Sequence, residues 1–145
     1  MACYLTKNFT LEEMYASSVA KQRGIVNTVG GVAAVNLMHL AEDILQPLRD
    51  AMGVPITIGS GYRCSTLNIA VGGARGSQHL TGQAVDICID GDTTKGRRYF
   101  DWIRTHCVFD QLIWEHNSNG SYWVHVSYVY GGRNRCQVIN DMLQS

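Results

Sequence analysis

The stretch SQHLTGQAVDICID, residues 77–90, decides how the chain is read. It sets His79 and Asp86 seven residues apart, places Gly82 between them, and then alternates apolar and polar positions. A period of two predicts a half-buried strand, with Ala84, Asp86 and Cys88 on one face and Val85, Ile87 and Ile89 on the other. A carboxylate in mid-strand and an imidazole reaching back from the preceding loop form a metal-ligand pairing. The glycine permits the sharp turn between them.

YWVHVSY, residues 122–128, alternates in the same way: Val124 and Val126 share the apolar face, so Trp123, His125 and Ser127 point oppositely. Two neighbouring strands thus present Asp86 and His125 from one face of a sheet. Two imidazole nitrogens and one carboxylate oxygen suit zinc and leave a fourth position open. An open site is hydrolytic in character, because zinc lowers the pKa of bound water toward about 7 and polarises a carbonyl. On spacing alone a second reading stays open: His125 as a satisfied half-buried histidine and Asp86 as a cap on a neighbouring loop.

Outward from these strands, VPITIGSGYR (54–63) predicts a short strand and a Gly-Ser-Gly turn, and FDQLIWE (109–115) a further strand. GRRYFDWIRTHC (96–107) has helical spacing, STLNIAVGGARGSQHLTGQ (65–83) predicts a short helix and then a loop, and CQVINDMLQS (136–145) a terminal strand or tail. Upstream, Thr10 with Glu13 three residues later is a capping signature, predicting a helix from Leu11 to Gln22 with Gly24 as its stop. In AAVNLMHLAEDILQPLRDAMG (33–53) apolar residues recur near a 3.6 period; Pro47 predicts a kink or a second turn-start, and Gly53 the end. His39 lies in this helix as a surface or partly buried residue. Helices first and strands mixed with a helix afterwards predict an α+β chain with a small, mainly antiparallel sheet, residues 1–145 forming a single domain.

Lysine plus arginine equals aspartate plus glutamate at 12 each, so no electrostatic case exists for nucleic acid or an anionic membrane surface. No stretch approaches the roughly 18 apolar residues of a bilayer span. The N-terminus MACYLTKNFTLEEMY lacks signal-peptide organisation, so synthesis in a cytoplasm is expected, with any export by a route the sequence does not show. The five cysteines form no CxxC pair and are odd in number, so reduced, mostly buried thiols are expected.

SQHLTGQAVD fills every fixed position of the S-x-H-x-x-G-x-A-x-D pattern of the zinc D-Ala-D-Ala carboxypeptidase family. The whole run from Leu45 to Ile87 resembles the family's phage-type branch, and FDQLIWE and WVHVSY resemble its later blocks in order. The resemblance extends from about Asn8 to Tyr128. It implies the Hedgehog/DD-peptidase fold, with helices packed against the sheet, and one zinc ion held by His79, Asp86 and His125. It also implies a metallopeptidase that hydrolyses a bond in the peptidoglycan peptide stem or crosslink, as a monomeric phage-type lysis enzyme (an endolysin). The alternative is a non-catalytic, zinc-stabilised peptidoglycan-binding or virion structural module.

One departure from the family concerns the general base. Relatives place a carboxylate three residues before the last histidine ligand, where this chain has Tyr122, or a histidine two residues before it, where Trp123 stands. Glu115 is the candidate base, grouped by alternation with Gln111 and Ile113; His116 is its rival and a candidate substrate contact. Arg63 matches the family's arginine over the substrate, where a guanidinium holds a peptide carboxylate or stabilises an oxyanion. Ser77 and Gln78 are expected to orient the His79 loop and the substrate backbone. Asp110 reads as a strand-start residue, Cys88 as packing, and Trp123, Tyr62 and Tyr128 as core or cleft wall.

Overall fold

The computed structural model describes residues 1–144. The N-terminal part is helical. Thr10 caps α1 (Leu11–Tyr15) in a reciprocal box: its hydroxyl accepts from the Glu13 amide while the Glu13 carboxylate accepts from the Thr10 amide. The single helix expected from Leu11 to Gln22 is two. Ala16 takes an extended conformation, and Ser17 caps a new helix, α2 (Ser18–Arg23), by accepting from the Ala20 amide. A serine placed one turn into the run offers the backbone a competing start, and the chain takes it.

The long amphipathic segment forms α3 (Gly31–Leu40), one π turn (Ala41–Leu45) and α4 (Gln46–Met52) in unbroken helical conformation. The widened turn lies immediately before Pro47, which has no N–H to donate and crowds the turn behind it. One face of this rod buries Leu37, Leu40, Ala41, Ile44, Leu45 and Leu48 completely.

The remainder alternates: β1 (Thr57–Ser60), α5 (Ser65–Ala70), a 3-10 turn (Gln78–Thr81), β2 (Ala84–Cys88), α6 (Thr93–His106), β3 (Gln111–His116), β4 (Tyr122–Ser127) and β5 (Gln137–Leu143). The sheet order is β1-β2-β4-β3-β5, antiparallel throughout except for the parallel pairing of β5 on β3. This is the expected α+β arrangement.

The two faces of the sheet have opposite chemistry. Val85, Ile87, Leu112, Trp114, Val124 and Val126 share a core with the rod and with Tyr99, Phe100 and Ile103 of α6. Burying each such aliphatic side chain contributes about 1.5–3 kcal/mol. A slip of one residue would exchange them for Asp86 and His125, so core packing sets the register that positions the polar face. In that register Asp86 lies opposite His125, Ile113 opposite His125 on the other side, and Glu115 opposite Trp123.

Candidate metal centre

Asp86 and His125 project from the middle of adjacent strands, and His79 reaches them from the 3-10 turn. His125 Nδ1 is 2.9 Å and His79 Nε2 3.4 Å from Asp86 Oδ1. One donor atom from each of the three lies within 4.8 Å of the others, and all three residues are buried. Gly82 makes the return from the turn into β2 at φ +73°, and a Cβ there would stand 2.3 Å from the Ala33 carbonyl oxygen. Only glycine suits both conditions.

The surroundings orient each ligand candidate. The Gly61 carbonyl lies 2.7 Å from His79 Nδ1 and accepts its proton, which directs Nε2 toward Asp86. Gly61 itself is packed so closely that a Cβ would sit 2.1 Å from the Met14 carbonyl oxygen. Ser77 Oγ accepts from the His79 amide, and the Arg63 amide donates to the His79 carbonyl. Burial acts to raise the Asp86 carboxyl, but the His79 charge and the hydrogen bonds from both histidines outweigh it and hold the group far below the ordinary carboxylate range. The site therefore keeps an anion between two imidazoles.

These residues fit a zinc ion. Ligand atoms about 2.1 Å from a tetrahedral zinc stand roughly 3.4 Å apart, and the His79–Asp86 and His125–Asp86 separations of 3.4 and 2.9 Å are close to that. A nitrogen-rich donor set with one carboxylate matches the ion's preference, and three protein donors leave one position for a reacting group.

The centre opens into a cleft of about 310 Å³ that Arg63, Ser77, Gln78 and Glu115 also line. Arg63 is buried and spends three of its five N–H donors on Ser60 Oγ, Asn68 Oδ1 and Asp86 Oδ2. Glu115 Oε1 lies 3.9 Å from His125 Nδ1 and accepts a 3.1 Å hydrogen bond from Trp123 Nε1. Burial, and then the Asp86 charge, push the Glu115 carboxyl above its ordinary value. Trp123, left between core and cleft by the sequence, is thus the donor that orients Glu115.

His116 is not brought into the cleft. Strand alternation turns it to the other face from Glu115, where its ring packs at 4.9 Å from that of Tyr122 and its Nε2 meets Asp141 Oδ1 at 2.8 Å. This corrects the expectation that it touches substrate or competes as the base. Tyr128 donates to Asp43 at 2.6 Å, Tyr62 packs against the core, and the Cys88 thiol donates to Asp90. The five cysteines are free, as expected, but Cys3 and Cys136 are exposed and Cys64, Cys88 and Cys107 only half-buried, which corrects the expectation that most are buried.

Three supporting residues escaped the sequence. Asn27 brackets Arg63, donating to the Tyr62 carbonyl and accepting from the Cys64 amide, with a third bond to the Tyr15 carbonyl. Asn68 joins Arg63 to the Ala74 carbonyl of the glycine-rich loop. Asp110 is a buried carboxylate that accepts from Gln78 Nε2 and from the Arg135 amide, Nε and Nη2. Nothing in the local pattern of Asn27 marks partners 12, 35 and 37 residues away, and Asn68 reads only as a residue of a short helix; for Asp110, a carboxylate at the strand start was the available signal.

Fold and side chains together define an α+β protein with a three-donor metal centre at the base of a cleft. Residues 7–127 match the Peptidase M15 family, and the chain belongs to it. A 44-residue stretch, 30% of this chain, is 50% identical to the zinc D-Ala-D-Ala carboxypeptidase of Streptomyces albus G, and it covers 17% of that enzyme's own length. Family and relative imply zinc as the ion for the His-Asp-His group. No helix among the described residues is long and apolar enough to cross a membrane.

Proposed function

We propose that residues 1–145 are one zinc peptidase domain that hydrolyses a peptide bond in the stem or crosslink of bacterial peptidoglycan. His79, Asp86 and His125 hold the ion. When bound, zinc supplies a Lewis acid that polarises the scissile carbonyl and activates water. Glu115 receives the water's proton on Oε2, the oxygen that Trp123 leaves uncommitted, and returns it to the departing amine. Arg63 keeps two N–H groups for a substrate carboxylate or the developing oxyanion. Ser77 sets the turn that carries His79, and Gln78, held by Asp110, fixes the adjoining cleft wall.

The observation that carries this reading is the opening of Glu115, Asp86 and His125 from one sheet face, and of His79 from the adjoining 3-10 turn, into one cleft. It offers a carboxylate where Tyr122 and Trp123 cannot act as base, which supports a peptidase over a purely structural zinc module. A role in phage-type lysis rests on the resemblance of Leu45–Ile87 to that branch. Mass spectrometry of purified peptidoglycan after incubation with the protein tests the proposal: a new pair of amine and carboxyl termini at one bond is expected. Unchanged peptidoglycan with full zinc occupancy would assign the chain to binding instead.

A further inference from the structure

β5 lies beyond residues 7–127, so the family match says nothing of it, yet Met142, Leu143 and Gln144 line the cleft. The glycine-rich loop beside Arg63 lines the same cleft. The β5 segment is pinned at both ends. The Cys136 and Gln137 amides donate to the Phe109 and Asp110 carbonyls, Arg135 grips the Asp110 carboxylate, and the Gln144 amide donates to the His116 carbonyl.

Its register carries the inference. β3 and β5 keep step as far as Ile113 with Ile139, but the next pair on that face is Glu115 with Met142, two residues of β3 against three of β5. Regular pairing would set Asp141 beside Glu115. The extra residue reverses the alternation, brings Met142 to the cleft face, and sends the Asp141 carboxylate to His116 on the other side. A bulge thus exchanges an anion next to Glu115 for an unbranched, adaptable thioether. Met142 is 43% exposed, an apolar side chain left open along a polar cleft.

We propose that Met142 is a specificity-determining residue: it receives an uncharged aliphatic group of the peptide, on the β5 side of the scissile bond, and disfavours an acidic one. The inference rests on the peptidase reading above. An aliphatic group gains contact with Met142 and Ile113. A carboxylate there would face Glu115, with Arg135 Nε and Nη2 already spent on Asp110.

The test uses synthetic stem peptides in matched pairs, with leucine or glutamate at one flank of the cleaved bond and then at the other, and measures kcat and KM separately. At one flank the wild type is expected to favour the leucine peptide. Met142→Ala should raise KM for that peptide about tenfold, the scale of losing methylene-sized contacts in a pocket, while kcat changes less than twofold. Met142→Leu should restore KM, and Met142→Lys should turn the preference toward the glutamate peptide. Zinc content should be equal in all four proteins. An unchanged leucine-to-glutamate ratio in Met142→Ala and Met142→Lys, or equal losses on both peptides, would overturn the assignment. Cleavage of neither peptide by zinc-loaded wild type would sink the peptidase reading itself, and the inference with it.

Discussion

Asp110→Asn tests how the cleft wall is held. In the native protein Arg135 donates to both carboxylate oxygens, through Nε at 2.9 Å and Nη2 at 2.7 Å, and Gln78 Nε2 donates to Oδ2 at 3.0 Å. The side-chain hydrogen bonds of Arg135 are the largest influence and prevail over burial, so the Asp110 carboxyl falls from 3.8 to about 2. Each unit is about 1.4 kcal/mol. Because the Arg135 side chain is 54% exposed, solvent screening reduces the full conversion to about 1–2 kcal/mol. A folded-state pKa below the unfolded value gives stability that is present above about pH 4 and lost as pH falls toward about 2. The variant should therefore melt roughly 3–6 °C below wild type near pH 7, and urea titrations down the pH scale should show the difference shrinking below about pH 4. A deficit of constant size from pH 7 to pH 3 would refute the charge-pair account and leave a packing defect as the cause.

Other outcomes are expected from the same physical reasoning. Asn27→Ala removes three hydrogen bonds from the backbone around Arg63, so unfolding should become easier by about 2–4 kcal/mol; a change below the error of urea titration would discount the bracket. Gly82→Ala combines a positive φ with a 2.3 Å approach to the Ala33 carbonyl. A loss of at least about 2 kcal/mol is expected, and a variant as stable as wild type would show that the turn has another conformation. Trp123→Phe removes the donor to Glu115 Oε1 and should lower kcat about tenfold with zinc content unchanged. Equal kcat would mean that Glu115 needs no orienting partner.

Much of the site was legible because strand periodicity is a local property. Alternation alone put Asp86 with Ala84 and His125 with Ser127, and the apolar partners Val85 and Val124 said which face enters the core. The same parity grouped Glu115 with Ile113, but only the pairing of Ile113 with His125 shows that this face, and not that of His116, looks into the cleft. What stayed hidden is long-range or depends on competition between neighbours. Ser17 outbids helix continuation by one local hydrogen bond. Asn27 and Arg135 act on partners 37 and 25 residues away. The bulge that exposes Met142 is a property of two strands together and leaves no mark on either alone.

The central claim is that the His79, Asp86 and His125 cluster holds the zinc on which Glu115 depends for hydrolysis. It is tested most directly by measuring zinc content and peptidoglycan hydrolysis side by side for wild type, His125→Ala and Glu115→Gln. The account predicts about one zinc per chain and bond cleavage for wild type, and loss of both zinc and cleavage for His125→Ala. Glu115→Gln should retain zinc with turnover lowered by roughly a hundredfold or more. Full zinc occupancy in His125→Ala, or wild-type hydrolysis by Glu115→Gln, would contradict it.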